Sequence, residues 1–379
     1  MKHYNYIFTG TGLAALLTVY EMVLSKKFEH KSILLIDSDA KKTNDRTWCF
    51  WDDASLFNNI LSKKWDATLF ANESFRKKLN ITPYHYKMIQ GLDFYNFVFN
   101  EISKHENIHF LQEKVVTLSE LEGKCLVETE GKKFTCNKVF NSIFNATLVT
   151  SQKKYPLLQQ HFIGWFIKSK KTVFDENAAT FMDFSVNQNG NTRFMYVLPT
   201  SKKEALVEYT LFSKDLLSKE EYEIEIELYL KNLGIIEYEI VGKEQGNIPM
   251  TCYPFWKNNT QNVLNIGSSG GWTKASTGFT FKNATKKSKE LVQFLETESD
   301  FTKFHKKNKF WFYDLLFIDL LYKNNAIGSK LFSDLFKDEN SGLILKFLDE
   351  KTSWLEDLKV ILKCPRIPFL KALLRRIFR

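Results

Sequence analysis

The sequence predicts an α/β fold, on three observations. An apolar run, Tyr6–Thr9, breaks into Gly10-Thr-Gly12 and reads straight on as a helix over roughly Leu13–Ser25. From about Gln160 to Thr210 alternation dominates, and "HFIGWFIKS", "NTRFMYVLPT" and "EALVEYTLFS" read as strands of an antiparallel sheet. Far downstream a second glycine loop, Gly267-Ser-Ser-Gly270-Gly271, lies between a short strand and a long helix. A nucleotide-binding half is therefore opened, interrupted by a β-rich segment, and resumed.

The remaining elements follow in order. "SILLID" is a second strand ending at Asp37, and "GLDFYNFVFNEISKH" is a helix leading into one strand, "NIHFLQEKVVTL". A hairpin turns at Glu130-Gly131, and "SKEEYEIEIELYLKNLG" is helical. The chain beyond the second glycine loop is largely helical. The expected division is a discontinuous dinucleotide domain over 1–55, 85–155 and 255–296, a β-rich substrate domain over 56–84 and 156–254, and a helical region over 297–379.

The 379 residues can bury a large core. They include 34 Phe, 15 Tyr and 8 Trp, an excess that serves core filling and equally suits a large apolar ligand. Lys and Arg outnumber Asp and Glu by 53 to 44, a net charge of +9 that fits a polyanion or an anionic membrane surface. No nucleic-acid-reading motif accompanies it, so no nucleic-acid partner is expected. The five cysteines show no Cys-x-x-Cys spacing, and the N-terminus enters a strand without a signal-peptide layout, so a cytoplasmic setting is expected. "FWFYDLLFIDLLY" is interrupted by Asp314 and Asp319 and is too short to span a bilayer. "HENIH" (His105 to His109) matches the zinc-protease pattern, but Asn107 opens a strand after the helix ends. The two rings should diverge, and no metal is expected.

In the first turn Gly10 supplies tightness and Gly12 lets the backbone approach a pyrophosphate. Ala15 stands at the third small position, where helix packs on strand. The helix N-terminus offers unpaired N–H groups to phosphates, and Asp37 stands at the spacing of a ribose-binding carboxylate. NAD enzymes of this type complete one continuous sheet. Here the interrupted sheet resumes at Gly267, Gly270 and Gly271, the layout of FAD proteins, which makes FAD the expected cofactor. Many flavoenzymes have Gly-Asp at that late strand; this chain has Gly267-Ser268.

Two stretches carry chemistry. Glu208 in "ALVEYT" shares a strand face with Leu206 and Thr210. If that face is apolar and ligand-lined, the carboxyl holds a proton near neutrality; on an edge strand it is a solvated surface charge. "RTWCFW" places Trp48, Phe50 and Trp51 close together, either lining a greasy pocket or packing in the core.

Together these segments resemble the FAD-dependent lycopene cyclases of carotenoid biosynthesis, of the bacterial type, over nearly the whole length. The resemblance rests on Gly10-Thr-Gly12-Leu13-Ala14, "RTWCFW", "YKMIQGLDFY", "QHFIGW", "FMDF", "RFMYVLPTSKKEALVEYT", "EQGNIPM", "IGSSGGWTKASTGFTF", "FYDLLF" and "LKFLDEKTS". Ser268 and "GGWTKASTGF" depart from the family, which more often has Ala-Gly and a His-Pro ahead of the Thr-Gly pair. The resemblance implies a Rossmann-like FAD-binding domain of the flavin-hydroxylase type with an inserted antiparallel substrate sheet. It implies an isomerase that protonates a terminal double bond of lycopene, closes a β-ionone ring through a carbocation and loses a ring proton. Reduced FAD acts there without net redox change, with NAD(P)H as electron source. Glu208 carries over as the acid. Asp183 would be a second polar group at the polyene end, and Trp48, Phe50, Trp165 and Tyr196 would contact substrate. Leu13, Ala14, Arg46, Thr277 and Gly278 join the glycines as flavin contacts.

A carotenoid substrate lies in a membrane. "CPRIPFLKALLRRIFR" (helix expected over 366–379) carries apolar residues at helical spacing beside Lys371, Arg375, Arg376 and Arg379. It reads as a basic amphipathic helix on a membrane surface, or as a terminal helix docked on the protein's own core. Two rival functions stand beside the cyclase. One is an FAD/NAD(P)H-dependent monooxygenase or reductase acting on an isoprenoid; the other is a non-catalytic flavin- or lipid-binding protein of the membrane surface.

Overall fold

The first glycine turn sets the topology. β1 (Lys2–Thr9) runs into it, α1 (Leu13–Ser25) leaves it, and β2 (Ile33–Asp37) returns parallel to β1. This is a computed structural model, and it describes residues 1–121, 123–338 and 341–378, so Arg379 of the terminal basic cluster lies outside them. Gly10 has φ +94°, and a Cβ there would lie 2.2 Å from Ser142 Oγ. Only glycine fits this crossing of β1 and the strand beside it.

β3 (Thr47–Asp52), β4 (Lys63–Trp65), β5 (Ala67–Ala71), β6 (Arg76–Asn80) and β7 (His85–Gln90) come next, then α2 (Gly91–Ile102) and β8 (Ile108–Gln112). β9 (Val115–Leu121), β10 (Lys124–Thr129) and β11 (Lys133–Asn141) form a meander that turns at Glu130-Gly131, before the short α3 (Thr147–Thr150). The single strand expected over "NIHFLQEKVVTL" is two. At the bend, Glu113 accepts hydrogen bonds from Thr129 Oγ1 at 2.5 Å and Lys132 Nζ at 2.8 Å, so β8 pairs with β2 while β9 pairs with β10. α2 stops at Ile102 and β8 starts at Ile108, which separates His105 from His109; the His109 ring packs edge-on against Tyr4.

β12 (Leu158–Ser169), β13 (Ala178–Asp183), β14 (Thr192–Pro199), β15 (Glu204–Ser213), α4 (Lys219–Asn232) and β16 (Tyr238–Met250) form the interruption. β17 (Val263–Asn265) and α5 (Phe281–Phe294) resume the nucleotide half, and α6 (Lys309–Lys323), α7 (Gly328–Phe336), α8 (Ser341–Leu348), α9 (Trp354–Ile361) and α10 (Arg366–Ile377) follow.

These elements make three sheets among the described residues. The first has the order β8-β2-β1-β11-β10-β9, with β17 parallel to the end of β11. α1 is apolar nearly all round because it is covered twice, by this sheet and by α5. Ala15 is fully buried, and Thr18 Oγ1 meets Ser288 Oγ at 3.0 Å. The second sheet has the order β16-β12-β15-β14-β13-β5-β6, and β3-β7-β4 form a small third. Residues of the second sheet alternate between two environments. Ile163, Trp165, Val207, Tyr209 and Leu211 pack under α4 with Tyr222, Ile226 and Leu230. Leu206, Phe212, Phe194 and Leu198 face the opposite way, toward α6, α7 and α8. Ser218 and Glu221 close a capping box that starts α4, and Ser353 and Glu356 do the same for α9.

Candidate active site

The site begins at the α1 N-terminus. Gly12 is its N-cap, with no side chain capping it and no acidic residue in the first turn, so the N–H groups there are open to an anion. A Cβ on Gly12 would meet nothing within 4 Å, which leaves room directly above the turn. Leu13 and Ala14 line the same space, as do Gly267, Ser268, Thr277 and Gly278 from the second glycine loop. Thr277 Oγ1 and Gln160 Oε1 are buried there without hydrogen-bond partners among the described residues. A buried polar atom of this kind needs a partner, so together these features fit a bound dinucleotide. Gly278, at φ +72°, is required for the approach, since its Cβ would lie 1.8 Å from Gln160 Oε1.

The glycines of the sequence reading divide into those that line the space and those that shape it. Gly10, Gly270 and Gly271 are not on the cavity wall. A Cβ on Gly270 would lie 2.2 Å from Asn265 O, and one on Gly271 would lie 2.9 Å from Phe255 Cδ2. They fold the turns rather than touch a ligand. Asp37 is also off the wall: it accepts hydrogen bonds from Thr11 N at 2.6 Å, Thr11 Oγ1 at 2.9 Å and Asp39 N at 2.9 Å, which ties β2 to the glycine turn.

From the cradle a single cavity of about 1030 Å³ runs along the second sheet. Its walls are mostly apolar, among them Phe181, Leu206, Phe212, Phe279, Phe332 and Phe336. It reaches Ile361, Leu362, Ile367 and Leu370 on α9 and α10. These four line it and are also exposed, so the cavity opens to the surface between those helices. At the nucleotide end Arg46 and Asn247 are likewise exposed and on the wall.

Glu208 lines this cavity and is 6% exposed. Burial first, and the nearby Glu244 carboxylate second, push its carboxyl up to about 8, against which the Thr210 hydroxyl that it accepts pulls only partly. Glu244 lines the cavity too and accepts from Thr47 Oγ1 at 2.6 Å. Burial raises it to about 7, while the Thr47 hydroxyl and the Arg46 charge work the other way. Tyr196 pairs with Glu208 across the strands, and its hydroxyl meets that of Tyr86. Trp48 is on the wall as well, edge-on to Phe94 and Tyr95.

Three residues expected at the substrate are elsewhere. Asp183 is buried off the cavity. It accepts hydrogen bonds from Tyr229 Oη at 2.9 Å, Ser185 Oγ at 2.6 Å and Ser185 N at 3.0 Å, with Arg76 Nη2 at 3.4 Å, and so holds α4 to the sheet. Trp165 is one residue after Gly164, so the strand period turns it under α4. Phe50 stacks on Phe281 with centroids 4.4 Å apart in the nucleotide-domain core. The sequence reading also missed Glu244, Thr47 and Gln160. The clue for Glu244 was alternation in "VGKEQGNIPM", which puts Gly242, Glu244 and Gly246 on one face.

Gly12 already has ordinary extended backbone, φ −72° and ψ −177°. Gly12→Val should therefore fold normally, with its methyls filling the cradle. FAD affinity is expected to fall about 100-fold or more, read by quenching of flavin fluorescence, at an unchanged melting temperature of the flavin-free protein; unaltered affinity would remove this cradle as the binding place.

The comparisons with known proteins agree with this layout. A geranylgeranyl bacteriochlorophyll reductase-like protein from Thermoplasma acidophilum superposes with a TM-score of 0.58 at 10% identity, covering 98% of this chain and 96% of that one. A flavin-dependent brominase, Bmp2, gives 0.62 at 12% identity over 92% and 94%, and p-nitrophenol 4-monooxygenase from Pseudomonas putida gives 0.60 at 11% over 96% and 97%. At such identities the likeness establishes the fold alone, the flavin-hydroxylase type. No curated protein sequence matches the chain. The family model described as lycopene cyclase protein matches residues 5–374, and the chain belongs to that family.

Proposed function

We propose that the protein is a lycopene β-cyclase, converting acyclic end groups of lycopene or a related acyclic carotenoid into β-ionone rings. The observation that carries this reading is Glu208 buried in an apolar cavity continuous with a dinucleotide cradle, where burial holds its carboxyl above the usual carboxylate range. Protonating an alkene needs an acid kept from water, because water would capture the cation. Glu208 gives its proton to the terminal double bond, whose electron pair forms the new C–H bond and leaves a tertiary cation. The next double bond attacks that cation to close the ring, and loss of a ring proton restores a double bond. The product is an isomer of the substrate.

Gly12, Leu13, Ala14, Gly267, Thr277 and Gly278 would hold FAD, with Arg46 beside them. When bound, reduced flavin supplies negative charge that stabilises a cation in low dielectric. NAD(P)H is the electron source in this reading. Trp48 and Tyr196 add electron-rich faces along the path.

In this reading the protein works on the inner face of a membrane without spanning it. Among the described residues no helix is long and apolar enough to cross one. α10 turns Phe369 and Leu373 toward the cavity, while Ile367, Leu370, Leu374, Ile377 and Phe378 are exposed. Arg376 is not part of the outward basic edge: it grips Asp319 of α6, with Nη2 at 2.6 Å, and Lys154 O at 2.8 Å. Lys371 and Arg375 remain outward. A lipid surface beside this opening would hand the polyene directly into the cavity.

The test is pigment analysis after expression in a lycopene-accumulating host. Cyclic carotenoid isomeric with lycopene is expected, with lycopene unchanged when Glu208→Gln replaces the wild type. Unchanged lycopene with folded, flavin-loaded wild-type protein would reject the reading. NAD(P)H and O2 consumed in step with product would favour a monooxygenase.

A further inference from the structure

Two carboxylates stand on either side of β12, the strand next to the β16 edge of the second sheet. Gly164 of β12 is paired with Glu208 of β15 on one side and with Glu244 of β16 on the other. Residues directly opposite one another share a face, so all three face the cavity. The middle position has no side chain. A Cβ on Gly164 would lie 2.8 Å from Leu206 Cδ1 and 3.4 Å from both Glu208 Cβ and Glu244 Cγ, so the two glutamates flank a glycine that the Leu206 methyl covers. Phe162 pairs with Gly246 and Phe166 with Gly242, and each ring lies over the glycine opposite, within 2.4 Å and 3.4 Å of where a Cβ would be.

We propose that Glu244 is the base that removes the ring proton, so that an acid–base carboxylate pair runs the cyclisation. This rests on the cyclase reading above. The O–H bond of Glu208 breaks as its proton bonds to the terminal alkene carbon. After ring closure a ring C–H bond breaks, its electron pair forms the ring double bond, and its proton goes to Glu244. The pair then stands as ionised Glu208 and protonated Glu244. Return of one proton from Glu244 to Glu208 restores it, and nothing is oxidised or reduced.

The other carboxylates on the cavity wall are occupied. Asp45 accepts from Tyr95 Oη at 2.8 Å, and Asp314 is paired with Lys274 Nζ at 2.8 Å. The groups facing the pair are Arg46, Thr47, Cys49, Tyr86, Tyr196 and Thr210. Arg46 and the Thr47 hydroxyl favour ionised Glu244, whereas burial and the Glu244 charge keep the proton on Glu208. Two close carboxylates ionise in steps that belong to the pair. The working form is the singly protonated one, with Glu244 charged. Because the base decides which ring proton leaves, its position selects where the ring double bond forms.

The test uses flavin-loaded protein and lycopene in vesicles. Glu244→Gln should lower kcat about 100-fold, the scale of a lost general base, with KM and bound flavin unchanged. Residual product should shift toward rings with the double bond displaced, Glu244→Asp should recover part of the rate, and the fall of kcat on the acid side of about pH 7 should vanish in Glu244→Gln. A kcat within threefold of wild type with the acid-side fall intact would overturn the proposal while leaving the cyclase reading in place. Loss of bound flavin along with turnover would also overturn it, placing Glu244 in the cradle instead. A wild-type protein that leaves lycopene unchanged would overturn both.

Discussion

Glu208→Gln is expected to abolish cyclisation, by 1000-fold or more, while making the folded protein more stable at neutral and alkaline pH. The loss follows from removing the only proton source in the reading above, and acid catalysis of this kind is worth roughly 100- to 10,000-fold. The gain follows from linkage. The carboxyl is raised from 4.5 to about 8 in the folded chain. Between those values the folded state keeps a proton that the unfolded state has released, so stability is full below about pH 4.5 and is lost as pH rises toward 8. Gln keeps an acceptor for Thr210 and has no charge to bury, so the difference in its favour grows over this range to on the order of 4 kcal/mol. Urea unfolding at pH 5, 7 and 9 reads it directly. Wild-type and variant curves that stay parallel across the three pH values would mean that Glu208 does not hold its proton in the fold. Activity and stability are expected to oppose one another at this residue, as they do where a site needs a group the fold would rather not bury.

Replacing Trp354, Leu355 and Ile377 together by serine is expected to detach the protein from anionic vesicles by about 1000-fold in affinity, with its melting temperature unchanged. The three are 71%, 76% and 62% exposed, so folding gains little from them, whereas insertion into lipid recovers roughly 1.5–3 kcal/mol for each large apolar side chain. Turnover of lycopene carried in vesicles should fall with binding, while turnover in detergent is retained. Lys359, Lys371 and Arg375 are exposed on the same two helices, so vesicle binding should also weaken as salt rises. Flotation with anionic and neutral vesicles measures both effects. Equal flotation of variant and wild type would assign the apolar face another purpose.

Much of the fold was legible because local rules suffice for it. The turn at Gly10 and Gly12, the helix limits Leu13 and Ser25, and the turn at Glu130-Gly131 follow from backbone conformation and side-chain period, and each appears at the residues expected. The face shared by Glu208, Leu206 and Thr210 follows from strand alternation, and those three do line one cavity. What failed was the choice between equally apolar surroundings. Phe50 and Trp165 were read as ligand contacts and are core residues, because a sequence does not say whether protein or ligand covers an aromatic ring. Asp183, expected at the polyene end, is buried instead with Tyr229 of α4 and Ser185 as hydrogen-bond partners.

By itself the sequence determined the strand–turn–helix units, the nucleotide half resumed after an insertion, the strand face that carries Glu208, and the family. All of these depend on neighbours in the chain or on the order of segments along it. Only the tertiary structure decided that Glu244 stands across Gly164 from Glu208, that Asp37 braces the glycine turn, and that the cavity opens between α9 and α10. Those facts depend on strand register and helix packing between distant segments. A one-residue slip of β16 against β12 would have turned Glu244 away from the cavity with no change in sequence.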